Sequence, residues 1–250
     1  MDSPHKKLQR ANRNFQALNR ALQRFRDSNP YDLAFSVVKE PGGTFGVIKV
    51  KVLKSVPDSI GLIVGEMCNN LRSALEHTLW RAHLAMSHAF NEDVHFPICD
   101  NPKWFGKAST KHLKGLSSSQ RTKFENVQPY VRGNDLLSVL RALNNTDKHR
   151  IIPVVAAQGQ IQLMELSGID LVVPPGATAA ISVKTDKPIE DGGELWRQEI
   201  GDVSEDNLSV KAGFAYSFLF DGIPAIADKR QVVGTLRSIR DEVRYVLDQL

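Results

Sequence analysis

Cysteine, aromatic side chains and long apolar runs are all scarce in this 250-residue sequence. Its two cysteines, Cys68 and Cys99, are too few for a disulfide framework and have no paired zinc-ligand spacing, so a reducing compartment is expected. No apolar stretch approaches the roughly 20 residues needed for a membrane span, and "MDSPHKKLQRANRNF" lacks the apolar run of a signal peptide. The expectation is a soluble, cytoplasmic protein with no membrane partner. There is no Gly-x-Ser-x-Gly elbow, and the turn "PGGTFG" at 41–46 lacks the Lys-Ser/Thr pair and following helix of a phosphate loop. Histidines never occur four apart, and the Glu-x-x-His of Glu92 and His95 falls in an expected loop. A set built from Glu66, His77, Asp147 and His149 would place its ligands poorly around one ion, so neither metal nor cofactor is expected.

Charge is abundant but unevenly spread around a net +4. Residues 103–150 carry ten Lys and Arg against Glu125, Asp135 and Asp147, whereas acids prevail from 151 to 225. This asymmetry fits an anion-binding half joined to an acidic half, or two oppositely charged faces attracting each other within one fold. The segment "KWFGKASTKHLKG" at 103–115 interleaves aromatics with lysines. It reads as a nucleic-acid contact, or as a loop and short helix with its aromatics tucked inward.

Hydrophobic spacing gives the elements. Leu8, Ala11, Phe15, Leu18, Leu22 and Phe25 recur at helical period, predicting an amphipathic helix over 8–27. "DLAFSVVKEPGGTFGVIKVKVLK" alternates around a Pro-Gly-Gly turn and predicts a β-hairpin at about 32–54. The longest helix opens at Pro57 or Asp58 and runs to about Met86, and shorter ones are expected at 117–127 and 134–147. The period then becomes alternating, with short strands at "IIPVVAA", "QIQLMEL", "DLVVPPG", "AAISVKT", "ELWRQEI" and "FAYSFLF". A last helix stripes Val232, Leu236, Ile239, Val243 and Val246 along one face. The expected class is α+β: a helical bundle over 1–150 with an inserted β-hairpin, a C-terminal antiparallel β-sheet or small sandwich over 151–222, and a closing helix over 223–250 that packs back on the bundle.

The long helix contains "NNLRSALEHTLW". Asn69, Arg72, Ser73, Glu76 and Trp80 fall along one strip of it, and Asn70, His77 and Arg81 along the next, with Leu71, Leu75 and Leu79 facing the core. Arg72 and His77 are about 140° apart around the helix, within reach of a shared anion because arginine is long. "RSALEH" resembles the Arg-x4-6-His motif of the HEPN superfamily, helical-bundle proteins that include metal-independent endoribonucleases of toxin, antiphage and RNA-processing systems. The resemblance implies that Arg72 holds a scissile phosphate while His77 acts as general acid or base, that RNA is the partner, and that the protein forms a homodimer. The order "NNLRSALEH", "FPI", "LNNTDKHR" also resembles that of a group of bacterial proteins, implying a cytosolic bacterial origin and carrying no activity of its own; a role in bacterial defence is expected only from the HEPN resemblance.

In "LNNTDKHR" a helix gives way to a strand. Asn can terminate the helix there, and Lys, His and Arg suit its negative end. If this helix packs antiparallel to the long one, Asp147 and His149 approach Arg72 and His77. They would then act with Asn69 and Glu76 as supporting groups, while Lys148 and Arg150 bind substrate. The sequence thus supports two readings. One is an RNA-cleaving site; the other is a non-catalytic binding or regulatory protein whose Arg/His/Asp cluster is a polar seam between helices.

Overall fold

The computed structural model describes residues 2–86, 94–167, 180–181, 188–200, 209–226 and 230–250. In chain order the elements are α1 (Ser3–Asp27), β1 (Tyr31–Glu40), β2 (Gly43–Val52), α2 (Asp58–Ala85), α3 (Pro102–His112), α4 (Ser118–Asn126), α5 (Pro129–Arg132), α6 (Leu136–Asp147), β3 (Val154–Ser167), β4 (Ala180–Ile181), β5 (Glu194–Glu199), β6 (Ser209–Phe220) and α7 (Val232–Gln249). The class is α+β, as expected. No helix among the described residues is long and apolar enough to cross a membrane.

The chain divides into two compact units: one of residues 1–22, 57–153 and 220–250, the other of residues 23–56 and 154–219. This differs from the expected grouping of the hairpin with the helices. The cause is β5: it pairs antiparallel with β2, from Phe45 opposite Glu199 to Lys49 opposite Glu194, with a register shift after Ile48. The hairpin therefore belongs to a sheet of order β1-β2-β5. A single bent run of backbone hydrogen bonds cannot be foreseen from hairpin sequence alone, since either edge of the pair can accept a third strand.

In the strand-rich unit, Ile48 and Val50 of β2 bury one face while Lys49 and Lys51 are exposed on the other, the alternation read from the sequence. Leu195 and Trp196 of β5 pack onto the buried face, with Tyr31, Leu33, Phe35 and Phe214 around them. A second sheet has the order β4-β3-β6. The strands expected at "IIPVVAA" and "QIQLMEL" are one continuous β3; "DLVVPPG" and most of "AAISVKT" lie outside the described residues.

In the helical unit, α1 and α2 run antiparallel: Asn14 meets Glu66 and Asn70, and Ser3 meets His77. The N-terminal helix starts at Ser3, a turn earlier than its apolar stripe, because that first turn is occupied by polar contacts to α2. Ser117 and Gln120 form a capping box at the start of α4. The stripe of α7, Val232, Leu236, Ile239, Val243 and Val246, is fully buried, and α7 packs on α2 and α6. Each such side chain contributes about 1.5–3 kcal/mol by leaving water.

Two glycines let α2 approach its neighbours closely. A Cβ on Gly65 would stand 1.8 Å from Oδ1 of Asp147, and one on Gly61 would stand 2.4 Å from the carbonyl oxygen of Ile152. Asp147 can move its carboxylate, whereas Ile152 offers only backbone. On an open helix face Gly→Ala stabilises by roughly 1 kcal/mol. Here the sign reverses: Gly61→Ala is expected to destabilise by about 2 kcal/mol through overpacking, measured as a lower urea midpoint at unchanged slope.

Candidate functional site

Residues 94–101 run without regular secondary structure past α2 and α6, and Phe96, Pro97, Ile98 and Cys99 are buried. A buried stretch of this kind must find partners for its backbone polar groups outside any ladder. It finds them in side chains. Arg72 Nη2 donates to the carbonyl of Phe96 at 2.8 Å and to Glu76 Oε1 at 2.5 Å, while Glu76 Oε2 accepts the Phe96 N–H at 2.6 Å. An i,i+4 ion pair on one helix thus grips both polar groups of a single residue.

Gln128, with no exposed surface, continues the pattern: its Oε1 accepts the Cys99 N–H at 2.9 Å, and its Nε2 donates to the carbonyls of Pro97 and Phe124. Arg141 donates through Nη1 to the carbonyl of Ile98 and through Nη2 to Asp100, at 2.5 and 2.6 Å, and Ser138 donates to the same Asp100 carboxylate. That carboxyl is held below its usual range by the Ser138 and Arg141 hydrogen bonds, which outweigh the opposing effect of its burial.

Alongside this segment α2 and α6, packed antiparallel, leave a cleft of about 400 Å³. Asn69, Arg72, Ser73 and Glu76 form its α2 wall. Arg141, Asn144, Asn145 and Lys148 form the opposite wall, and His95 closes one side. Burial lowers the basicity of Arg72 and the Glu76 carboxylate partly restores it. Its Nη1 is buried with no hydrogen-bond partner among the described residues.

The residues singled out from the sequence separate into two places and several roles. Asn69, Arg72, Glu76 and Lys148 share the cleft. His77 does not line it: its Nδ1 lies 2.5 Å from the Ser3 hydroxyl of α1, and burial together with the nearby Lys7 ammonium holds its pKa below the ordinary value. Asp147 rests against Gly65, two helical turns before Arg72, and burial and the Glu66 carboxylate raise its pKa. Among the described residues it orients no imidazole. His149 is exposed, and Arg150 donates to the carbonyl of Gly222. In α3, Phe105 turns inward as expected, but Trp104 is 54% exposed.

Gln128, Arg141 and His95 had no sequence signal for these positions, whereas Asn144 stood in the "LNNTDKHR" cluster without a role assigned to it. The one available hint was "FPI", a segment noted in the sequence without a chemistry of its own. No group of three or more His, Cys, Asp or Glu side chains able to hold a metal ion occurs among the described residues. No family model, no curated protein and no solved structure matches the chain.

The His77 environment sets a pH dependence. A pKa depressed in the folded state means that the unfolded chain binds the proton more tightly, so stability is full above about pH 6.5 and falls as pH drops through the unfolded and then the folded value. The expected NMR titration midpoint of His77 lies below 6.5, and His77→Gln should reduce the loss of stability on acidification. A midpoint above 6.5 would reverse that sign.

Proposed function

We propose that the protein is a non-catalytic binding protein in which the Arg72–Glu76 pair, through its grip on Phe96, is a structural polar seam. The observation that carries this reading is the divergence of Arg72 and His77. Cleavage of RNA by its own 2′-hydroxyl requires the phosphate ligand and the proton-transfer group within hydrogen-bond reach of one phosphate. Five residues along a helix leave these two side chains about 140° apart, and only a guanidinium free to swing back could close the gap. Glu76 and the Phe96 carbonyl hold that guanidinium on the α6 side, while Ser3 holds the imidazole on the α1 side.

The energetics favour the same reading. Arg72 and Glu76 are a partly buried pair whose hydrogen bonds satisfy an enclosed backbone unit, an arrangement in which removal of one partner is far more costly than the pair's net contribution. Arg72→Ala would leave the Glu76 carboxylate and the Phe96 carbonyl without their donor. The expected loss is about 2–3 kcal/mol, seen as a drop in Tm of roughly 5–10 °C.

The accompanying assay incubates the full chain with single-stranded RNA in excess EDTA. No cleavage is expected from wild type. Cleavage that disappears in His77→Ala would contradict the proposal, as would an Arg72→Ala variant with unchanged Tm.

A further inference from the structure

Three hydrogen-bond donors of the α2–α6 cleft are left over after the seam is complete. Arg72 spends Nη2 on Phe96 and Glu76, but Nη1 has no partner among the described residues, and the side chain keeps 18% exposure on the cleft wall. Asn144 is only 6% exposed and lines the cleft, yet its amide makes no hydrogen bond among the described residues. Lys148, at the C-terminal cap of α6, is exposed at the rim and has no ion-pair partner among them. A buried guanidinium nitrogen without an acceptor costs about 1–3 kcal/mol, and a cleft lined by such a side chain and by an amide with no hydrogen bond among the described residues is complementary to a ligand rich in acceptors.

Charge narrows the ligand. Arg72, Arg141 and Lys148 line the cleft against one carboxylate, Glu76, while Asp100 engages Arg141 without lining it. With Arg72 paired to Glu76 and Arg141 to Asp100, the charge left over among the described residues is the single one of Lys148, and it is the three uncommitted donors that match three terminal oxygens better than the two of a phosphodiester link. A phosphomonoester carries about −1.5 to −2 near neutral pH and presents three terminal oxygens.

Size and lining narrow it again. A volume of about 400 Å³ is in the range of small-molecule pockets. Grooves that follow a nucleic-acid strand combine cations with a series of stacking aromatics, whereas among the described residues the only ring on this lining is the imidazole of His95.

We propose that the α2–α6 cleft binds the terminal phosphate of a small phosphomonoester, held by Arg72, Asn144 and Lys148. The proposal rests on the non-catalytic reading above and supplies its ligand class. The phosphate accepts from Arg72 Nη1, from the Asn144 amide and from the rim ammonium, and the Phe96 clamp fixes Arg72 from behind through Nη2.

The test is isothermal titration of the full chain with inorganic phosphate, adenosine monophosphate, sulfate and an RNA oligonucleotide lacking terminal phosphates. Phosphate and the monophosphate are expected to bind, and sulfate, a tetrahedral acceptor of the same kind, is expected to compete with them. Lys148→Ala, at an exposed position, should weaken phosphate about fivefold or more. Asn144→Asp, which keeps the side-chain volume and adds a negative charge, should weaken it at least fiftyfold, while Lys123→Ala on α4 leaves it unchanged. Unchanged phosphate affinity in Lys148→Ala and Asn144→Asp would overturn the assignment. Binding of the oligonucleotide in place of phosphate would overturn it in favour of a strand-binding cleft. Absence of binding by any probe would remove the ligand and leave the seam intact, whereas His77-dependent RNA cleavage in EDTA would remove the non-catalytic reading itself.

Discussion

The helical unit is organised around one two-pronged contact, the grip of Arg72 and Glu76 on the amide and carbonyl of Phe96. The segment it holds is buried, irregular and unable to borrow partners from a sheet or helix, so its enclosure is possible only because side chains supply what a neighbouring strand would have supplied. Gln128 and Arg141 extend the same device to Pro97, Ile98 and Cys99. With the segment seated, Phe96 can pack against Phe124, with ring centroids 5.7 Å apart, and close the space beside α2.

That contact also determines what the polar cluster can do. A guanidinium with one nitrogen committed to Glu76 and a backbone carbonyl has its plane fixed, which is a cost for a group that must follow a reacting phosphate and an advantage for one that must present a rigid donor to a bound one. The same rigidity separates it from His77, whose ring is engaged on the opposite side of α2 by Ser3. Helical spacing brought the two residues close in sequence. Packing against two different helices drew them apart.

The elements that repeat a simple period were legible in the sequence. The stripes of α1 and α7, the alternation of β2 and the length of α2 follow from where apolar side chains must go, and the antiparallel approach of α2 and α6 makes neighbours of "NNLRSALEH" and "LNNTDKHR". The pairing of β2 with β5 was not legible, because strand partnership across some 150 residues leaves no local mark. Nor was the role of Gln128, whose amide sits at the start of a short helix and matters only through a segment thirty residues earlier. For Arg72 and His77 the residue types were read correctly as polar groups on a buried helix, but the rotamers that decide whether they converge depend on Phe96 and Ser3, which lie far away in the chain.

The most direct measurement is the hydrogen-exchange rate of the Phe96 amide, whose only described acceptor is Glu76. If the clamp organises the unit, that amide exchanges slowly, through openings nearly as costly as global unfolding, and Glu76→Ala accelerates it by orders of magnitude while core amides of α2 change far less. An amide at Phe96 that exchanges as fast as an exposed loop in the wild-type protein would contradict the account.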